Sequence, residues 1–165
     1  MESVIENIVK LIGGSMPQMR TVDEDYGQLE MLEQESRDTY PLVFPAVLID
    51  APDAQWENIA GLSQKGLATV RIKLCIDCYD DTHYGSGTVE KIAERESMRR
   101  ELHSLLQGYR ADGHSALIRT SSRFYTFGPG IKVYEATYTL EVTEMLEEKA
   151  LKMKKPAVRM TTGIV

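Results

Sequence analysis

The sequence predicts an α+β fold, a small antiparallel or mixed β-sheet of about four strands with two helices packed on one face, in the order α-β-β-α-β-β. Three observations point there. Apolar residues recur at helical spacing in two stretches, near residues 2–12 and 88–109. They alternate with period two in two others, 67–79 and 131–145. Between the last two predicted strands stands Gly128-Pro129-Gly130, a turn signal that folds one strand back on its neighbour. Hairpins separated by a single helix place the helices together on one face of the sheet.

The length of 165 residues suits a single domain. A chain of this size buries about two-thirds of the surface its unfolded form exposes, so it needs no covalent staples. With 42% hydrophobic and 27% charged residues, the composition excludes collagen-like, coiled-coil, disordered and disulfide-scaffold classes for the chain as a whole. One α+β domain over residues 1–145 is expected, followed by a basic arm over 146–165.

In the first element Val4, Ile5, Ile8, Val9, Leu11 and Ile12 form an apolar stripe, and Gly13-Gly14 is expected to stop the helix. Residues 15–39 hold Pro17 and a dense set of acids, and read as an acidic surface excursion. Residues 40–50 read as a strand whose first half is an edge or lead-in, because Pro41 and Pro45 cannot donate to a ladder. Residues 51–66 read as a long connection, with Pro52, Gly61 and Gly66 as breakers and Trp56 packed as a lid on the core.

The strand over 67–79 follows. Val70, Ile72, Leu74, Ile76 and Cys78 share one face; Arg71, Lys73, Cys75, Asp77 and Tyr79 share the other. The second helix, over 88–109, takes its apolar stripe from Val89, Ile92, Ala93, Met98, Leu102, Leu105, Leu106 and Tyr109. Residues 115–127 make the third strand. Residues 131–145 make the fourth, with Tyr134, Ala136, Tyr138, Leu140 and Val142 facing inward.

Charge is distributed unevenly. Residues 1–40 carry nine acids and three bases, which accounts for the whole net charge of −6, and the remaining 16 bases and 16 acids balance. Within that balanced part, residues 149–159 hold five bases (Lys149, Lys152, Lys154, Lys155, Arg159) and no acid. An acidic head and a basic tail suit self-assembly or docking to charged partners, although opposite termini are often simply solvating. The N-terminus has no basic region followed by an apolar run, which argues against a signal peptide. No apolar run approaches the ~20 residues of a membrane span. Synthesis in the cytoplasm without export, and no membrane partner, are expected.

Motifs for chemistry are few. Cys75 and Cys78 form a Cys-x-x-Cys, but a strand puts the two sulfurs on opposite faces. Redox pairs stand instead at helix N-termini, and a zinc site wants a second ligand pair. Free thiols are expected. Asp77, Asp80, Asp81 and His83 cluster at a strand end without the spacing of an EF-hand. Gly85-Ser-Gly87-Thr88 precedes a helix but lacks the Gly-Lys-[Ser/Thr] of a phosphate loop, and reads as a helix cap. No Ser or Cys stands in a nucleophile-elbow context. The chain is therefore expected to be no enzyme and to hold no cofactor or metal. Arg71, Lys73, Arg119, Arg123 and Lys132 fall on strands and could form a basic surface. Ion pairing with Asp77, Glu135 and Glu141 explains them equally, and the aromatic stacking motif of RNA-binding sheets is absent.

The run from Pro45-Ala-Val-Leu-Ile49, across the long connection to Gly66 and the strand ending at Tyr79, resembles the tail-terminator (tail-completion) proteins of long-tailed bacteriophages, the minor tail protein U type. The likeness continues through Arg100-Glu-Leu-His-Ser-Leu-Leu-Gln-Gly108 and Val133-Tyr-Glu-Ala-Thr-Tyr-Thr-Leu-Glu-Val142. With the first helix it covers roughly residues 1–145. It implies a non-enzymatic virion protein that forms a hexameric ring on the head-proximal end of the tail tube. Such a ring ends tube polymerisation and offers a docking face to the head connector, while DNA passes through the lumen without sequence-specific binding. Self, tail-tube protein and connector are then the partners. Arg71 and Lys73 are expected to face the lumen or the next subunit, and Lys152, Lys154, Lys155 and Arg159 an acidic surface on a neighbour or connector. Two rivals remain open at this point: a neighbouring head–tail joining protein or small cytosolic binding module, and a thiol or metal enzyme using Cys75, Asp80 or Asp81.

Overall fold

In the computed structural model the chain runs α1 (Glu2–Ser15), β1 (Thr21–Glu24), α2 (Gln28–Met31), β2 (Ala46–Ile49), β3 (Asp53–Ala60), β4 (Ser63–Asp77), α3 (Thr88–Leu106), β5 (Ile118–Phe127) and β6 (Ile131–Met145). The structure describes residues 2–32, 42–61, 63–78, 83–111, 113–128 and 130–145. The arm over 146–165 and the acidic residues 33–38 lie outside them.

The fold is α+β as expected, but the sheet is larger. Among the described residues it has six strands, in the order β1-β2-β4-β6-β5, with β3 also on β4. It is mixed, because β1 runs parallel to β2 while the other pairs are antiparallel. The two strongly alternating stretches form its centre. β4 and β6 pair from Ser63 opposite Met145 to Asp77 opposite Ile131, without a break in register.

Two strands stand where the sequence suggests none. Residues 51–66 are not a connection: β3 folds back along β4 through a turn at Gly61 (φ 56°). As an edge strand it buries little, with only Ala54 and Trp56 half-buried, so it lacks the β-branched run that marks a buried strand. Within 15–39, β1 pairs with β2 and the short α2 buries Gln28 and Leu29, so this stretch belongs partly to the sheet and its packing. Conversely, the strand expected over 40–50 shortens to Ala46–Ile49, and the carbonyl of Pro45 accepts the Arg20 amide at 2.8 Å.

Both faces of the sheet are packed, a second departure from the expected arrangement. On one face α1 and α3 cover Val47, Ile49, Ala68, Val70, Ile72, Leu74, Ile76, Tyr138, Leu140 and Val142. The opposite face carries a smaller cluster of Leu29, Ala46, Leu48, Cys75, Ile131 and Val133, flanked by Leu42, Phe44, Tyr125 and Phe127. α1 continues past Gly13-Gly14 to Ser15 because Ile12 and Met16 are buried, and the Met16 amide still bonds the Ile12 carbonyl at 2.8 Å. Each glycine costs about 1 kcal/mol of helix propensity, and burying two large side chains at about 1.5–3 kcal/mol each outweighs it. α3 packs only through its C-terminal half. Leu102 and Leu106 are buried, whereas Val89 and Ile92 are 60% and 52% exposed.

Gly66 shows why one breaker belongs inside a strand. It lies opposite Trp56 across the β3–β4 pair, and a Cβ there would stand 2.9 Å from Trp56 Cε3. The glycine makes room for the indole to lie against β4. Gly66→Ala is therefore expected to cost about 1–3 kcal/mol through overpacking. Trp56 is the only tryptophan in the chain, so its emission reports the displaced ring directly. Unchanged emission together with an unchanged urea midpoint would contradict this account.

Candidate interaction surfaces

Arg71 and Lys73 project from β4 on the face opposite α1 and α3, as their alternation requires, but their charges are taken up within the chain. Lys73 donates to Asp25, and both side chains are largely buried, at 13% and 5% exposure. Its ammonium also lies 3.8 Å from Asp50 Oδ1. Arg71 reaches the other Asp50 oxygen at 2.7 Å and Glu135 Oε1 at 3.5 Å. Arg123 on β5 then grips Glu135 with two parallel bonds of 2.8 Å, and its guanidinium lies over the Tyr125 ring. The lattice thus runs Asp25–Lys73–Asp50–Arg71–Glu135–Arg123, from the loop after β1 across the sheet to β5.

Burial opposes ionisation of Asp25, but hydrogen bonds from Lys73 and the Gly27 amide outweigh it and hold the carboxyl below its ordinary value. Asp50 is pushed up by burial, Lys73 opposing only in part and the adjoining Asp25 adding to the rise. For Lys73 burial lowers the pKa, and the bond to Asp25 with the charges of both aspartates reverses that into a rise.

This arrangement alters the expectation of a basic sheet surface. Arg71, Lys73 and Arg123 are neutralised by Asp25, Asp50 and Glu135. Lys132 donates to Thr126 Oγ1 at 2.7 Å and lies over Phe124. Lys152, Lys154, Lys155 and Arg159 lie outside the described residues, as do Asp80 and Asp81. Cys75 and Cys78 are free thiols on opposite faces, and burial pushes Cys75 up to about 12, which keeps it protonated and unreactive. Among the described residues no three His, Cys, Asp or Glu side chains converge as a metal site, and no helix is long and apolar enough to cross a membrane.

A second site has no counterpart in the sequence reading. Between α3 and the β4–β6–β5 part of the sheet lies a cavity of about 280 Å³. Leu102 and Leu106 of α3, Ile72 and Leu74 of β4, and Phe124, Tyr134 and Tyr138 of the last hairpin give it an apolar lining. Phe124 and Tyr134 stack with centroids 4.4 Å apart, and Phe124 remains 55% exposed. Arg99, His103, Arg119, Ser122 and the Arg123–Glu135 pair supply the polar part. Arg99 is held by Glu96, its Nε donating at 2.7 Å. His103 Nδ1 stands 3.0 Å from the Tyr138 hydroxyl, and burial with the charges of Arg119 and Arg99 lowers the imidazole below its usual pKa. Among the described residues no carboxylate pairs with the Arg119 guanidinium.

Arg119 reaches this cavity through a β-bulge. Its partner on β6 is Tyr138, whereas Ser121 pairs with Thr137, leaving Thr120 as the extra residue. Residues four apart on a regular strand share a face. The bulge breaks that parity, sending Arg119 toward α3 and Arg123 to the opposite face beside Glu135. A bulge of this kind carries no distinctive residue, so the sequence does not disclose it.

The two ends of the sheet also differ in charge. Residues 21–32, at the β1 end, hold Asp23, Glu24, Asp25 and Glu30 and no base; β5, at the other end, holds Arg119 and Arg123 and no acid.

Neither a protein-family model nor a curated protein matches the chain. Among solved structures it is similar to a chain of "Virion of native gene transfer agent (GTA) particle", at 10% identity and a TM-score of 0.45, over 83% of this chain and 84% of that one.

Proposed function

We propose that the chain is a non-enzymatic structural protein of a phage or prophage virion, acting as a ring that caps the head-proximal end of the tail tube. The ring ends tube growth and provides the surface on which the head docks. What supports this reading is that, among the described residues, the first and last strands of the β1-β2-β4-β6-β5 order differ in charge, with Asp23, Glu24 and Glu30 at the β1 end and Arg119 on β5. An acidic strand end and a basic one on the same subunit favour head-to-tail contacts, the heterologous kind from which closed rings are built. The resemblance of residues 1–145 to tail terminators agrees with this reading. In it the partners are further copies of the chain, the tail-tube protein and the connector, and DNA crosses only the lumen.

Arg71 and Lys73 have a different role here from the one their sequence suggests. They hold the β1 end onto the sheet, and the surface they stabilise makes the contact. The basic arm keeps its proposed place against an acidic surface of a neighbour or connector.

The test is assembly. Light scattering on the purified chain should give six times the 18.6 kDa chain mass, or, where the ring closes only on a tube, the chain should bind tubes of a tail-tube protein. Electron microscopy should show those tubes capped at one end and limited in length. Tubes of unchanged length and uncapped ends would overturn the reading. Deleting residues 149–165 should weaken joining to heads; unaltered joining would remove the arm from the scheme.

A further inference from the structure

We propose that the cavity between α3 and β5 receives the acidic β1–α2 end of a second copy of this chain, with Tyr26 entering the apolar part and Glu24 and Glu30 meeting Arg119. The proposal deepens the ring reading by naming both halves of the contact.

Four observations carry it. First, the cavity is amphipathic: stacked aromatics and leucines form its body, and a guanidinium without a carboxylate partner among the described residues stands at its side. Such a site favours an apolar group carrying negative charge nearby. Second, at about 280 Å³ it falls below the roughly 300–1,000 Å³ of pockets that enclose drug-sized ligands. That volume admits one inserted aromatic side chain.

Third, the chain carries the complement. Tyr26 is 58% exposed and Leu32 39%, on a segment with four acids and no base over residues 21–32. Fourth, the β1 end of a chain cannot reach that chain's own cavity. β1 and β5 are the first and last of five adjacent strands, so roughly 19 Å of sheet separates them at about 4.8 Å per strand. The complement must come from another copy, and the contact repeats in one direction. The bulge at Thr120 is what puts the Arg119 guanidinium, which no carboxylate of the described residues pairs, beside this cavity, since a regular strand would place Arg119 in phase with Arg123.

Two variants test this, each removing one half of the contact. Arg119→Ala with Ser122→Trp fills the cavity; Tyr26→Ala with Glu24→Gln and Glu30→Gln strips the projecting end. Circular dichroism and thermal melts confirm that each is folded before use. Mass is then read by light scattering, and by amide shifts at up to millimolar concentration if association is weak.

Wild type should assemble, and each variant alone should remain a monomer, with at least a tenfold weaker association. An equimolar mixture should stop at a one-to-one dimer, because only one intact cavity and one intact projecting end then meet. Assembly of a folded variant at wild-type strength would overturn the proposal and leave the ring reading standing. A wild-type chain that neither associates nor shifts at millimolar concentration would also overturn it. The tube-capping experiment above then decides the ring reading separately.

Discussion

Replacing Lys73 with methionine is expected to lower the stability of the folded chain by about 3–5 kcal/mol, the usual cost of removing one partner from a buried pair. The size follows from position. An exposed ion pair contributes about 0–1 kcal/mol, but here the lysine and Asp25 side chains are 13% and 5% exposed. Without the ammonium, Asp25 and Asp50 face each other largely out of water. The loss should appear as a lowered urea midpoint with an unchanged slope, and adding Asp25→Asn to Lys73→Met should recover part of it by removing one uncompensated charge. A deficit below about 1 kcal/mol would mean that the pair behaves as a solvated one.

The pH dependence has a defined sign at each end. The folded pKa of Lys73 is raised, so its contribution is complete below the ordinary value of 10.5 and is lost as pH rises through the folded value. Asp25 is lowered, so its contribution is present above 3.8 and is lost as pH falls through the folded value. Asp50 is raised and works in the opposite direction, contributing below 3.8 and losing that contribution as pH rises. The alkaline loss should be present in the wild type and smaller in Lys73→Met.

Leu106→Ala carries the second large expected effect, about 2–5 kcal/mol, from lost transfer energy and the cavity left behind. Leu106 is fully buried, and with Leu102 it is one of the two buried residues that dock α3. The informative comparison is Ile92→Ala on the same helix. By helical periodicity both residues belong to one apolar stripe, yet Ile92 is 52% exposed and its truncation should stay within about 0.5 kcal/mol. Equal losses at the two positions in chemical denaturation would show that the N-terminal half of α3 is packed after all.

Legibility varied with how much of a segment's environment its own residues record. β4 and β6 were readable because each lies in mid-sheet with a buried face, so period two is written into Val70, Ile72 and Leu74 and into Tyr134, Tyr138 and Leu140. β3 was not, because an edge strand with one exposed face requires few apolar residues, and Gly66 read as a breaker when it serves as the seat of Trp56. β1 was hidden inside an acidic stretch, since four residues paired only to β2 leave little pattern. The face of β4 bearing Arg71 and Lys73 was assigned correctly, and Glu135 was read as an ion-pair partner, but Asp25 and Asp50 were not, because they arrive from 48 and 21 residues away.

By itself the sequence determined the α+β class, the last hairpin (β5 and β6), the opposed faces of the two cysteines and the acidic character of the first forty residues. All of these follow from local periodicity and composition. Only the tertiary structure decided that the sheet has six strands among the described residues, that α3 packs by half its length, and that Lys73 and Arg71 are bound internally. It alone placed the acidic and basic segments at opposite ends of one sheet, and turned Arg119 into a cavity. The physical reason is that strand order and a single-residue bulge depend on pairing between distant segments. No window of the chain contains that information.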